Sequence, residues 1–217
     1  MKKIHTLTGI AVFMAVAAQA ATTFLGDING GSGPTATVAD FTAMGVLEDL
    51  TGATVVGMNT SVSGGGVSIA SSNNYSGNYQ QATGNNLERD YVHIRNDQDP
   101  WQSVITTLTI SGLTDTLDAS TTYAFYLFGK GGANEFSTFD FGGDIKTTTE
   151  LDPSVRYEFT TAATVADTLI LDWTQGGTSK FAPMNGIAFV AIPEPSSAAA
   201  IFGLVGAFAM IQRRKRS

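Results

Sequence analysis

The chain of 217 residues contains no cysteine. Disulfides, thiol nucleophiles and cysteine metal sites are therefore excluded, whatever compartment the protein occupies. Histidine is nearly absent: there are two, His5 and His93. Basic residues are also scarce, 12 against 19 acidic ones, and half of them lie at the chain ends as Lys2, Lys3, Arg213, Arg214, Lys215 and Arg216. Residues 21–192 hold the other six cations and 18 of the carboxylates, a net charge near −12. So acidic a surface argues against nucleic acid or anionic lipid as a partner and favours solubility and association with cations. No Gly-x-Ser-x-Gly elbow occurs, which leaves a histidine-dependent triad without a nucleophile.

What is present is concentrated first at the two ends. Lys2 and Lys3 precede an apolar stretch from Ile10 to Ala18, and Ala18-Gln19-Ala20 is a small-x-small site. This pattern predicts a signal peptide over residues 1–20, cut by signal peptidase between Ala20 and Ala21. His5 would leave with it. At the other end Pro193-Glu194-Pro195 forms an extended stub, because both prolines fix φ and Glu194 is pushed out of the helical region. An uncharged apolar run follows to Ile211, then the cluster Arg213, Arg214, Lys215 and Arg216, which stays cytoplasmic under the positive-inside rule. A helix of 16 residues is roughly 24 Å long, short against a hydrocarbon core of about 30 Å, and suits transient retention.

The order of Pro-Glu-Pro, hydrophobic helix and terminal arginine cluster resembles the PEP-CTERM sorting tail of exported bacterial proteins. The resemblance implies recognition by an exosortase, transient anchoring in the inner membrane through a transmembrane helix over about 197–211, and a final place at the cell surface or in the extracellular matrix. It also implies an association with exopolysaccharide and biofilm. The chain is accordingly expected to divide into a signal peptide (1–20), a passenger domain (21–192) and a sorting tail (193–217).

The passenger is rich in Gly, Thr, Ser and Asn, with short β-branched and aromatic runs between glycine turns, which predicts an all-β domain. Strands are expected over residues 54–58, 66–70, 91–95, 104–111, 122–129, 155–161, 167–173 and 186–192, with a hairpin of 136–141 and 145–149 around Gly142-Gly143. Leu169, Leu171 and Trp173 alternate with more polar positions, as do Val155, Tyr157 and Phe159. Tyr123 to Phe128 is apolar on both faces and reads as a central or covered strand. Val38, Phe41, Met44, Leu47 and Leu50 recur every three residues and predict one helix ending at Gly52. Gly30 to Gly33 and Ser63 to Gly66 read as flexible loops. Together these signals point to a two-sheet sandwich. The run from Trp101 through Leu108 to Leu113, Thr122 to Gly129, and Met184 to Ile187 is similar to jelly-roll passengers of PEP-CTERM proteins, which look like carbohydrate-binding modules.

Several residues stand out as candidates for chemistry. His93 lies on the polar side of its strand and is expected to be an exposed surface histidine. Asp27 and Asn29 fill the first two ligand positions of a dockerin-like calcium loop, but Gly31 and Val38 stand where further ligands are needed. Asp97 and Asp99, before Pro100, offer oxygen ligands for a structural calcium, which jelly-roll modules often carry. No other cofactor is expected. Trp101, with Tyr75 and Tyr79 in a polar loop, offers flat apolar faces for stacking on sugar rings amid Asn and Gln. Trp173, on the Leu169 and Leu171 face, reads as core. The expected function is non-catalytic binding of extracellular polysaccharide or matrix protein. A polysaccharide-active hydrolase or lyase and a purely structural, adhesin-like protein are the alternatives.

Overall fold

A computed structural model describes residues 22–29, 34–58, 62–73, 76–79, 85–95, 105–179 and 181–193, and only the backbone of 76–79, 90 and 95. All fall within one compact unit, Ala21–Glu194. The strands are β1 (Phe24–Ile28), β2 (Val55–Met58), β3 (Ser63–Gly64), β4 (Val67–Ser71), β5 (Ser76–Tyr79), β6 (Asp90–Arg95) and β7 (Thr106–Ser111). They continue as β8 (Thr122–Phe128), β9 (Ser137–Phe141), β10 (Asp144–Thr147), β11 (Ser154–Thr160), β12 (Leu169–Gln175), β13 (Phe181–Met184) and β14 (Gly186–Ala191). Two short helices, α1 (Val38–Ala43) and α2 (Asn86–Arg89), complete the described elements.

The strands form two large sheets, as the alternation predicts, and a third small one. Sheet A has the order β11-β8-β14-β1-β2, sheet B the order β10-β9-β12-β7-β4-β3, and sheet C the order β13-β6-β5. Every pairing is antiparallel except that of β1 with β2. Phe24, Phe125, Leu127, Ile187 and Phe189 of sheet A bury against Ile69, Leu108, Ile110, Phe139, Leu171 and Trp173 of sheet B. Phe125 and Phe189 stack with ring centroids 4.7 Å apart. Each such side chain, fully buried, contributes about 1.5–3 kcal/mol.

Strand β8 is buried on both faces because the outer face of sheet A carries a second core. Leu25, Tyr126, Phe128 and Val190 are roofed by Phe41 and Met44 of the α1 segment and by Val46, Leu50 and Leu87. Phe41 meets the Phe128 ring edge-on at 5.3 Å. Helix α1 starts at a capping box in which Thr37 and Asp40 satisfy each other's main-chain nitrogens.

The helix is shorter than the sequence periodicity predicts. It ends at Ala43, because Gly45 adopts φ +100° and turns the chain. Leu47 is consequently 83% exposed, whereas Leu50 is buried in the outer core. Ser63 to Gly66 is a tight hairpin, not a flexible loop: β3 turns into β4 through Gly65 and Gly66, both at positive φ. Tyr79 likewise lies in β5, paired with Asp90, and not in a loop.

Candidate binding site

Most residues singled out for binding or sorting lie outside the described residues: Tyr75, Asp97, Asp99 and Trp101, with Ala18, Ala20, Ala21, Glu194, Pro195, Arg213, Arg214, Lys215 and Arg216. Trp173 is fully buried in the sandwich, as its strand face predicts. Among the described residues no helix is long and apolar enough to cross a membrane.

His93 corrects the expectation of an exposed histidine: it is only 8% accessible. The alternation of β6 is real, with Val92 and Ile94 facing the core. Its other face is covered too. His93 meets the Phe181 ring edge-on at 4.7 Å and the Tyr91 ring at 5.9 Å. Phe181 comes from β13, whose Pro183 pairs with His93, so the aromatic cluster depends on a strand contact that local alternation does not reveal.

Carboxylates and hydroxyls border this cluster. Tyr91 donates its hydroxyl to Glu135 Oε2 at 3.1 Å, and Gly132 N donates to the same oxygen at 2.7 Å. Ser179 Oγ reaches Glu135 Oε1 at 3.4 Å. Glu135 is held by the turn after β8, where Gly131 N donates to its carbonyl at 2.9 Å. The site thus combines half-buried Phe181 with a carboxylate oriented by three donors.

Next to it Lys130 joins Glu88 at 2.8 Å and Glu150 at 3.0 Å. Burial alone would lower its ammonium, but hydrogen bonds to both carboxylates and their charges outweigh this and hold it above the usual lysine range. Lys130 is therefore a fixed cation at neutral pH. Fully buried Asn185 anchors the corner by accepting from Lys130 N at 2.8 Å.

Two other features differ in kind. The outer face of sheet B presents Thr107, Thr109, Thr138, Asp140, Ile170, Asp172 and Thr174, with neither an aromatic ring nor a cation on β7, β9 or β12. It has no surface for stacking. Asp27, from the dockerin-like segment, is fully buried on β1 and accepts from Ala36 N at 2.6 Å. Its neighbours across the sheet are Gly57 and Gly186, so no side chain crowds it from either flanking strand.

The class is that of an all-β two-sheet sandwich. No family model matches the sequence, and no curated protein matches it. Among solved structures the fold is similar to the protein YxiM of Bacillus subtilis, with a TM-score of 0.41 and 11% identity over 78% of this chain and 40% of that one. It is similar to the CBM22-1–GH10 modules of a Clostridium thermocellum endo-1,4-beta-D-xylanase complexed with xylohexaose, at a TM-score of 0.36 and 8% identity over 58% of this chain and 26% of that one. A third is the CBM22-1 xylan-binding domain of a Paenibacillus barcinonensis protein, at 0.29 and 12% over 60% and 84%. The chain spans less than half the length of the first two.

Proposed function

We propose that this is an exported protein of the bacterial surface or extracellular matrix, sorted by a PEP-CTERM tail, whose jelly-roll-like sandwich binds polysaccharide without catalysis. The observation that carries the binding reading is the partly exposed ring of Phe181, backed by buried His93 and Tyr91, with the oriented carboxylate of Glu135 beside it. The segment bearing Trp101 continues from β6 after Arg95, whose register partner is Phe181. Trp101 is the ring assigned to stacking, Tyr75 and Tyr79 are auxiliary, and Asp97 and Asp99 are the candidates for a structural calcium.

The two described ends of the sandwich lie close together. The last strand bond of the sandwich runs from Ile192 N to Thr122 O at 2.8 Å, and Pro193 beyond it is exposed. Thr22 N donates to Asp118 at 2.8 Å, and Asp118 also bonds Tyr123, so the N-terminal end lies by the same edge. Lys130 follows the opposite end of β8, seven residues or roughly 20 Å away at about 3.3 Å per residue. Pro193 therefore stands at the end of β8 and β14 opposite to Lys130.

A glycan array on the processed protein, with and without calcium, tests the binding reading. Binding that needs Trp101 and Phe181 is the expected result. Hydrolysis or eliminative cleavage of the bound polysaccharide would replace it with the enzyme reading, and no binding at all would leave a structural matrix protein.

A further inference from the structure

Five large apolar side chains among the described residues are mostly exposed, and three of them are isoleucines on or beside sheet B: Ile105 at 65%, Ile145 at 65% and Ile170 at 60%. They share its outer face. Ile145 of β10 pairs with Asp140, Ile170 of β12 pairs with Thr109, and Ile105 stands two residues before Thr107, one strand period away.

The middle of this face carries an unfavourable contact. Asp140 of β9 and Asp172 of β12 are register partners, and like charges placed directly opposite each other destabilise a sheet. One oxygen of each is committed: Asp140 Oδ1 accepts from Gly143 N at 2.8 Å, and Asp172 Oδ1 accepts from Thr107 Oγ1 at 2.9 Å. Among the described residues the other oxygen of each has no hydrogen bond and no ion pair. The one cation on β7, β9, β10 and β12 is Lys146. It lies on the opposite face, in register with core residue Phe139, and is spent on the Arg156 carbonyl and on Asp144.

Across the sheet one row therefore reads Ile145, Asp140, Asp172 and Thr107, with neighbouring strands about 4.8 Å apart. Its side chains are short or β-branched and lose little freedom on docking. The chemistry of the row selects its partner. Without an aromatic ring it does not stack on sugars, and its paired negative charge repels nucleic acid and anionic lipid. A second copy set face to face would double the carboxylates. What complements it is a cation framed by aliphatic groups, and a guanidinium, with five donors in a planar fork, can serve the free oxygens of both aspartates at once.

We propose that the outer face of sheet B is a docking surface for a cationic protein segment, which sets an arginine over Asp140 and Asp172 and lays aliphatic side chains on Ile145 and Ile170. The surface uses no residue of the Phe181 cluster and does not depend on polysaccharide binding there.

The test is methyl NMR of the folded full-length chain with labelled isoleucine, titrated with a short synthetic peptide that alternates arginine and valine. The methyls of Ile145 and Ile170 should shift as the peptide binds. The same peptide with citrulline for arginine keeps the shape without the charge, and should bind about tenfold more weakly, the scale of a charge-assisted hydrogen bond. Asp140→Asn combined with Asp172→Asn should cause a similar loss, while asparagine keeps an oxygen for Gly143 N and Thr107 Oγ1. Asp115→Asn combined with Asp152→Asn removes the same charge from exposed positions outside these strands and should leave the affinity unchanged. Equal losses in the two pairs would reduce the effect to overall charge, and equal binding of the citrulline peptide would reduce it to shape; either overturns the proposal. So does an absence of methyl shifts with the arginine peptide. Shifts that follow protein concentration alone would give the face to a second copy, and shifts with the producer's polysaccharide would give it to glycan, each in place of the cationic partner.

Discussion

The indole nitrogen of Trp173 donates to the Ser137 hydroxyl across 3.0 Å inside the sandwich. Ser137 Oγ in turn donates to the Pro183 carbonyl, and Ser137 N donates to Thr148 Oγ1 at 3.0 Å. One buried hydroxyl thus ties β12 and β9 of sheet B to β13 of sheet C. Ser137→Ala leaves both the indole donor and the Pro183 acceptor buried without this partner, and each such loss costs about 1–3 kcal/mol. We expect the urea midpoint of residues 21–192 to fall accordingly, with Trp173→Phe costing less because it removes the donor together with its need. An unchanged midpoint in Ser137→Ala would show that water replaces the hydroxyl.

Trp173 was legible as core because Leu169 and Leu171 share its face, and β8 as a covered strand because both of its faces are apolar. These are local patterns. Strand β1 was not legible: Asp27 read as part of a calcium-type loop, whereas it is fully buried in β1, where its Oδ2 accepts from Ala36 N nine residues away. Strand β13 was hidden by Pro183, which is tolerated because β13 is an edge strand. His93 was misjudged for the same kind of reason, since its cover comes from Phe181, 88 residues on. The carboxylate of the candidate site, Glu135, left no sequence signal at all, because it is brought to Tyr91 only by tertiary pairing.

Three buried tyrosines set the alkaline limit of stability. Burial comes first in raising Tyr123, Tyr126 and Tyr157 above the usual tyrosine range, and nearby carboxylates add to it: Asp118 at Tyr123, Glu48 at Tyr126, and Asp144 with Asp140 at Tyr157. The folded protein therefore holds these protons after the unfolded chain has begun to release them near pH 10. Stability is fully present below that pH and is lost as pH rises through the folded values. Unfolding free energy measured against pH should fall steeply above pH 10, and Tyr157→Phe should reduce the slope. A flat profile there would contradict the burial.

Lys146 guards an open edge. Its Nζ donates to the Arg156 carbonyl at 2.6 Å on the edge strand β11, sits 4.5 Å from the Tyr157 ring centroid, and pairs with Asp144 at 2.9 Å. Edge strands with unpaired carbonyls invite pairing with another chain, and lysine is a common defence. Lys146→Ala should therefore raise self-association, measured by sedimentation velocity, with at most about 1 kcal/mol lost in stability because the ion pair is partly exposed. Unaltered monomer at high concentration would show that the edge is protected by other means.

The proposed polysaccharide binding predicts a sharp contrast between faces of the sandwich. A stacking ring is worth about 1–2 kcal/mol, near tenfold in affinity. Trp101→Ala and Phe181→Ala should each weaken co-sedimentation with the producer's own polysaccharide by about that factor. Ile170→Ala is the matched control: it removes an apolar side chain that is 60% exposed on the outer face of sheet B, where no ring is available for stacking. His93→Ala answers a different question, since it opens a hole between Phe181 and Tyr91 and is expected to cost stability before affinity. Circular dichroism must first show strand-rich folds for all four variants. Equal losses in Phe181→Ala and Ile170→Ala would remove the aromatic cluster from the binding surface, and loss in Ile170→Ala alone would move that surface to sheet B.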